Sequence, residues 1–329
     1  MEPTQEIDEN EIIQVCTTDR GAWDRYFHSP NDDDVQVARA LLQTPFRFPS
    51  ISTFGRLNIF PPETLREILE YLDIASLFRF HCVNHSARQA VGSMRKLAIL
   101  VEHTMSALYM VLRTGIGRYF TLEYLYTVLT LPNCLLCGKF GPFLYLCAVV
   151  RCCHRCIQGS IALRVFPFTA FVRAGRKCCP GKNKQLQQLV PVMSLVEGIH
   201  RDRFRPGEPK RLVSLTLAKQ HFSELGTIVE EAYDEFAKAF LMDIPQSFAA
   251  IRFPWYNEET GILERGVVCK GSTIEMDNLT LRCQFNREDL FSRADFMKHF
   301  KSCKWCENGW KCHQQEKQLQ EGKAAESME

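Results

Sequence analysis

Nothing in this sequence reads as a membrane span. No run of about 18 apolar residues occurs, and the longest suspect, Leu97 to Leu112, is interrupted by Glu102, His103 and Thr104. A surplus of one charge is missing too. Lys and Arg number 40 against 38 Asp and Glu, a net of +2, so bulk charge gives no attraction to nucleic acid or an anionic surface. There is no G-x-x-x-x-G-K-[ST] or G-x-G-x-x-G phosphate loop, and no internal repeat. The opening residues, MEPTQEIDEN, are acidic and lack an apolar signal region. The chain is therefore expected to stay in a reducing compartment, cytoplasmic and/or nuclear, where disulfides are disfavoured.

Cysteine, by contrast, is abundant: 15 in 329 residues. Under reducing conditions, paired cysteines read as metal ligands or as buried apolar side chains. Apolar residues make up 46 % and charged residues 24 %, the balance of a globular chain with a real core, in one large domain or two to three small ones. Residues 1–50 carry many carboxylates, including Asp32, Asp33 and Asp34, and read as a largely flexible acidic leader with a short helix around Val35–Gln43. The stretch 98–131 reads as a helical linker. Residues 175–184, GRKCCPGKNK, read as a basic turn-rich linker, 216–243 and 286–312 as helical, and 313–329 as a polar, disordered tail.

Residues 57–96 have the pattern of three short helices. Pro61 and Pro62 suit a helix start, Glu63 favours the positive end of the dipole, and Leu65, Ile68, Leu69 and Leu72 recur at i, i+3, i+4 and i+7. Asp73 is placed to cap a second helix carrying Leu77, Phe78 and Phe80. Asn84 is placed to cap a third, with Ala87, Ala90, Val91 and Met94 on one face. A module this small is marginal alone and must lean on the rest of the chain or on a partner.

Further on, Cys134-x2-Cys137 and Cys153-x2-Cys156 stand fifteen residues apart. A C-x2-C turn brings two sulfurs to one metal, and two such turns complete the tetrahedral shell of a structural zinc. Cys152 is an alternative to Cys153, and His154 and Cys147 are further substitutes. No position is left open for water, so the metal would stabilise the fold rather than perform chemistry. Cys178-Cys179 lies among basic residues that favour a thiolate, yet no base or oxyanion motif accompanies it. A self-contained RING-type ligase would need eight interleaved ligands, and the spacing supplies one clear set of four.

The order Leu57, Pro61-Pro62-Glu63, Leu65, Ile68-Leu69, Leu72, Leu77, Phe80, Val83-Asn84 resembles the F-box motif, with Ala87 where many F-boxes carry Trp. The resemblance implies a three-helix F-box at 51–97 that docks on the Skp-type adaptor of a Skp–cullin–F-box ubiquitin ligase through Leu57, Pro61, Pro62, Leu65, Ile68, Leu69, Leu72, Leu77, Phe80 and Val83. The run from Leu131-Pro132 through the cysteine pairs, Thr114-Gly115 with Tyr119, and Arg252-Phe253-Pro254-Trp255 are similar to a fungal type of F-box protein with a downstream cysteine cluster. That type often adds a C-x-G-C pair to a His-x3-Cys helix. Here Cys269, His299 and Cys303 fit, Ser272 stands at the fourth position, and Cys306 or Cys283 would have to replace it.

The expected fold is mainly α with some β: the F-box, then a zinc-stapled helical and mixed α/β body over 132–312. The expected function is that of a non-catalytic substrate-recognition adaptor that joins a cullin through the Skp-type protein and presents an unknown target protein. Neither membrane nor nucleic acid is expected as a partner. The rival reading is a zinc-stabilised interaction or regulatory protein whose F-box-like helices pack only internally.

Overall fold

In the computed structural model of the chain, residues 8–19, 27, 29–43, 53–178, 181, 185, 188, 190–196, 211–224, 246–273 and 289–326 are described. They are mainly helical, with four small antiparallel sheets. Helix α1 (Glu9–Cys16) runs into strand β1 (Thr17–Thr18), and α2 (Asp32–Gln43) follows. The central helices are α3 (Pro62–Glu70), α4 (Ile74–His81), α5 (His85–Gly92), α6 (Arg95–Arg113) and α7 (Leu122–Thr130).

The local chemistry of the three-helix module is as expected. Asp73 accepts from the Ser76 N–H at 2.8 Å and Asn84 from the Ala87 N–H at 2.8 Å, capping α4 and α5. Helix α6 is kinked at Thr104, whose hydroxyl donates to the Leu100 carbonyl at 2.8 Å, a side-chain bond that bends helices. Helix α2 packs across α6, and Arg39 caps the Glu102 carbonyl beside the kink at 3.0 Å.

The leader expected to be flexible is thus packed where it is described. Its charge hid two sparse apolar sets: Val35 of α2, and Ile12 and Ile13 of α1, all buried. The tail is corrected as well. The last helix continues through residues 313–326, where a disordered tail was expected. His313 and Lys317 on that helix meet Glu11 of α1 at 3.2 and 2.7 Å, contacts between segments 302 and 306 residues apart that no local pattern reveals.

Beyond α7, strands β2 (Phe143–Tyr145) and β3 (Val150–Cys152) form a hairpin that leads into α8 (His154–Gly159). A second small sheet is built from β4 (Val165–Pro167), β5 (Val192–Ser194) and β6 (Arg211–Ser214), in the order β4-β6-β5. It is covered by α9 (Phe168–Cys178) and α10 (Leu215–Glu224) through Phe166, Phe171 and Phe222. Residues 175–178 of the expected basic linker continue α9 instead. The helix expected over 216–243 is described only to Glu224. Strand β7 (Ala250–Arg252) completes the first sheet beside β2, and β8 (Trp255–Tyr256) pairs with β9 (Leu263–Glu264). Strand β10 (Val267–Cys269) lies between β1 and β11 (Leu290–Phe291), with α11 (Lys270–Thr273) after it. Helices α12 (Arg293–Phe300) and α13 (Lys304–Glu326) end the chain and pack on α1.

One buried side chain fastens the helical half to the cysteine-rich half. Arg151 of β3 is 3 % exposed. Its Nε donates to the Val128 carbonyl at 3.1 Å and its Nη2 to Leu129 at 3.2 Å, at the carbonyl end of α7. Nη1 reaches Gly141 at 2.7 Å and Phe253 at 3.1 Å, and Nη2 also reaches Pro254 at 2.6 Å. All five N–H donors of the guanidinium are used. Burial lowers its pKa to about 9, so it remains charged at neutral pH. Trp255 adds an indole N–H to the Thr130 carbonyl at 3.0 Å.

Replacing Arg151 by Leu strands five carbonyls in the interior and is expected to cost about 3–5 kcal/mol, read as a lowered urea midpoint. Arg151→Lys, with one point charge in place of the planar fork, should recover only part of it.

Candidate docking face and metal centres

The stripe at 65, 68, 69 and 72 divides once the helices pack. Leu65, Leu69 and Leu77 are 6 %, 3 % and 0 % exposed and belong to the core with Val91, Met94 and Leu97. In the chain alone these three expected docking contacts are core side chains rather than surface ones. Leu57, Leu72 and Phe80 are half-buried against the same core. Pro61, Pro62, Ile68 and Val83 are exposed. Sequence reasoning passed over Ile59, Phe60 and Tyr71, all exposed, Tyr71 at 84 %. Tyr71 lies three residues after Ile68, and that outward spacing was the signal available. Ala87 is fully buried, so the small residue there is a matter of interior packing rather than a contact missing from the surface.

The first cysteine quartet forms as the spacing predicts. The turn after α7 is closed by the Gly138 N–H to the Cys134 carbonyl at 2.9 Å and the Cys134 N–H to Lys139 at 2.6 Å. Gly138 sits at φ +72°, where a side chain would be strained. Cys153 follows β3 directly and Cys156 lies in α8. The sulfurs of Cys134, Cys137, Cys153 and Cys156 all lie within 4.8 Å of one another, with Cys137 and Cys153 at 3.5 Å. Tetrahedral bonds of ~2.3 Å place sulfurs about 3.8 Å apart, so the quartet fits a metal ion. Cys153 rather than Cys152 joins it. Cys152 is fully buried, and its thiol donates to the Val150 carbonyl at 3.8 Å. His154 and Cys147 are not members.

Four sulfurs this close cannot all ionise unaided. Hydrogen bonds from Cys152 and Cys153 hold the Cys134 thiol well below its ordinary range, the Cys134 interaction and burial push Cys153 far up, and burial raises Cys156 to about 12. A divalent cation resolves this conflict by stabilising every thiolate at once.

A second quartet, more deeply enclosed, joins Cys269, His299, Cys303 and Cys306, whose donor atoms also lie within 4.8 Å of one another. Cys269 ends β10, His299 lies near the end of α12, and Cys306 is in the first turn of α13. The expected single helix carrying His299 and Cys303 ends at Phe300, and a turn delivers Cys303. Cys306 supplies the position left open by Ser272, while the side chain of Ser272 and all of Cys283 lie outside the described residues, as do the side chain of Cys178 and all of Cys179. Cys303-Lys-Trp-Cys306 is itself a C-x2-C pair, a signal obscured by reading the segment as His-x3-Cys. Gly271 is needed beside this centre because a Cβ there would lie 2.6 Å from the Trp305 ring. Burial works against charge on His299, but hydrogen bonds and charge from Cys269 and Cys303 outweigh it and raise its pKa to about 9. Phe291 stacks on the imidazole at 4.7 Å.

Against known proteins, residues 57–98 match the family model of the F-box domain. The chain carries an F-box domain, with cysteine clusters downstream of it. This domain supports a general role in SCF-type ubiquitin-ligase adaptor function. F-box proteins are generally non-catalytic substrate adaptors, and the domain generally binds Skp-type proteins. No curated protein and no solved structure matches the chain. Among the described residues, no helix is long and apolar enough to cross a membrane.

The burial pattern separates two kinds of variant. Leu69→Asp buries a charge in the F-box core and is expected to cost about 4 kcal/mol or more, lowering Tm by many degrees. Tyr71→Asp should leave Tm within about 2 °C of the native chain, because surface changes stay near ±0.5 kcal/mol. Circular-dichroism melts of the two check this.

Proposed function

We propose that the protein is a substrate receptor of a Skp–cullin–F-box ubiquitin ligase, non-catalytic in itself, acting in the cytoplasm and/or nucleus. The observation that carries the reading is the F-box domain at 57–98. Exposed apolar side chains on it support docking: Ile59, Phe60, Ile68, Tyr71 and Val83. Pro61 and Pro62 share that exposure, and the half-buried Leu57, Leu72 and Phe80 border it. The Skp-type adaptor would cover this face and link the chain to a cullin, and the cysteine-rich body would hold a target protein. The receptor's contribution is proximity, which raises the effective concentration of a target lysine near the ubiquitin carrier.

We take the metal of both quartets to be zinc, in a structural role. Three or four thiolates with no or one imidazole suit zinc over harder cations, and each quartet fills a tetrahedral shell without an open position. The cysteine quartet downstream of the F-box also supports placing the chain with the fungal type. The internal-packing alternative draws support from the burial of Leu65, Leu69 and Leu77, but it leaves the exposed apolar face without a role.

Two measurements test the proposal. Immobilised native chain should capture a purified Skp-type adaptor, and Ile68→Asp with Tyr71→Asp should abolish capture while the melt stays native-like. A native chain that captures nothing ends the ligase reading. Elemental analysis should give close to two zinc per chain, falling by one in Cys153→Ser and unchanged in Cys152→Ser. A ratio near zero removes the zinc reading.

A further inference from the structure

We propose that residues 9–18 form a metal-dependent clasp, which closes over the C-terminal donor centre and stays seated only while that centre holds its ion. The inference rests on reading Cys269, His299, Cys303 and Cys306 as a metal site.

Helix α1 turns Ile12, Ile13 and Cys16 inward, and all three are buried. The rest of the buried cluster they join is Cys269, Phe296, Cys303 and Cys306. Three of those four are donors of the centre. Phe296 lies on α12, its ring 5.7 Å from that of the fourth donor, His299. The other attachments end at the same place. Thr17 pairs with Cys269 in the register of β1 on β10. Lys270, the next residue, puts its Nζ 2.6 Å from the Val15 carbonyl. The Cys16 thiol donates to the Cys306 backbone carbonyl at 3.6 Å. Glu11 reaches His313 and Lys317 on α13, the helix that carries Cys306.

Away from this platform the segment has little to keep it folded. Eight residues of helix and two of strand are too few to be stable alone. The platform is itself made of separate pieces: the end of β10, α12 with the turn after it, and the start of α13. An ion held by the four donors would draw those pieces together, and the clasp packs on all of them. Without the ion, a cluster of seven buried residues is left to fix their geometry, too few to do so alone. Seating and metal binding are therefore linked. Linkage is reciprocal: the factor by which the ion favours the seated segment is the factor by which the seated segment tightens the ion. The first quartet has a different anchor, since Arg151 holds its strand, and emptying it should leave the clasp in place.

Hydrogen exchange of the full-length zinc-loaded chain, read by mass spectrometry over residues 9–18, tests one direction of the linkage. Cys303→Ser, which empties the C-terminal centre, is expected to speed exchange there about fivefold to 150-fold, while Cys137→Ser, which empties only the first centre, leaves it native. Stepwise chelation of Cys137→Ser, which keeps only the C-terminal ion, gives the same readout without substituting Cys303. Competition against a chelator of known affinity tests the other direction. Ile12→Asp unseats α1 and is expected to weaken the C-terminal site by a factor in that same range of about fivefold to 150-fold. Native affinity at the Cys134 quartet shows that this variant is folded. Ile12→Ala, a milder loss of packing, should raise exchange and lower C-terminal affinity by the same factor. Native exchange in Cys303→Ser, or equally fast exchange in Cys137→Ser, overturns the proposal, as does native C-terminal affinity in Ile12→Asp. A native chain that holds a single ion, at the Cys134 quartet, shows instead that the underlying reading of the C-terminal quartet has failed, and the clasp falls with it.

Discussion

The guanidinium of Arg151 ties together parts of the chain that share no hydrophobic pattern. It gathers carbonyls from the end of α7, from the turn after the first cysteine pair and from the strand exit at Phe253 and Pro254. The negative end of a helix dipole and five uncapped carbonyls would each be costly in an interior without a donor. One planar group answers them together, with no carboxylate among its partners. The same strand ends at Cys152, with Cys153 directly after it, so this clamp and the first cysteine quartet position each other. The three-helix module is thereby fastened to the cysteine-rich body.

The two quartets work at different ranges. The first joins residues 134 to 156, a short loop whose closure costs little entropy. The second joins β10 to α12 and α13 and sits where β1 and α1 return from the far end of the chain. The apolar cluster around it has seven buried residues among those described, four of them cysteines. A cluster that small supplies little stability alone, and an ion held there would contribute directly to folding. The second donor cluster and the packing of α1 on α12 and α13 therefore share one place in the fold.

What could be read in advance follows from how local each signal is. Asp73 and Asn84 act on N–H groups three residues away, and both caps are found as expected. The first cysteine pairs act across a turn and lie where their spacing puts them. The docking stripe was read correctly as helical, but periodicity gives a face and not its destination. Leu65 and Leu69 turn into the core shared with Leu77, Val91 and Leu97, while Ile68 and Tyr71 stay exposed. The leader and tail were misread because α1 and α13 have too few apolar residues to show a period. Their packing rests on Ile12, Ile13 and ion pairs to Glu11, contacts made across the length of the chain.

Arg151, Phe253, Pro254 and Trp255 were visible as a family-like pattern with no stated physical role, and the fold supplies one. Sequence by itself determined the capped three-helix module, the C-x2-C geometry and the mainly helical class, since each depends on dihedral preference and hydrogen bonds within a few residues. Tertiary structure decided which leucines are core and which apolar side chains stay exposed. It also decided that Arg151 is a clamp, that Cys306 completes the second quartet, and that Cys16 lies against it. Those outcomes depend on burial and on donors meeting acceptors from distant segments, and neither is defined until the chain has closed on itself.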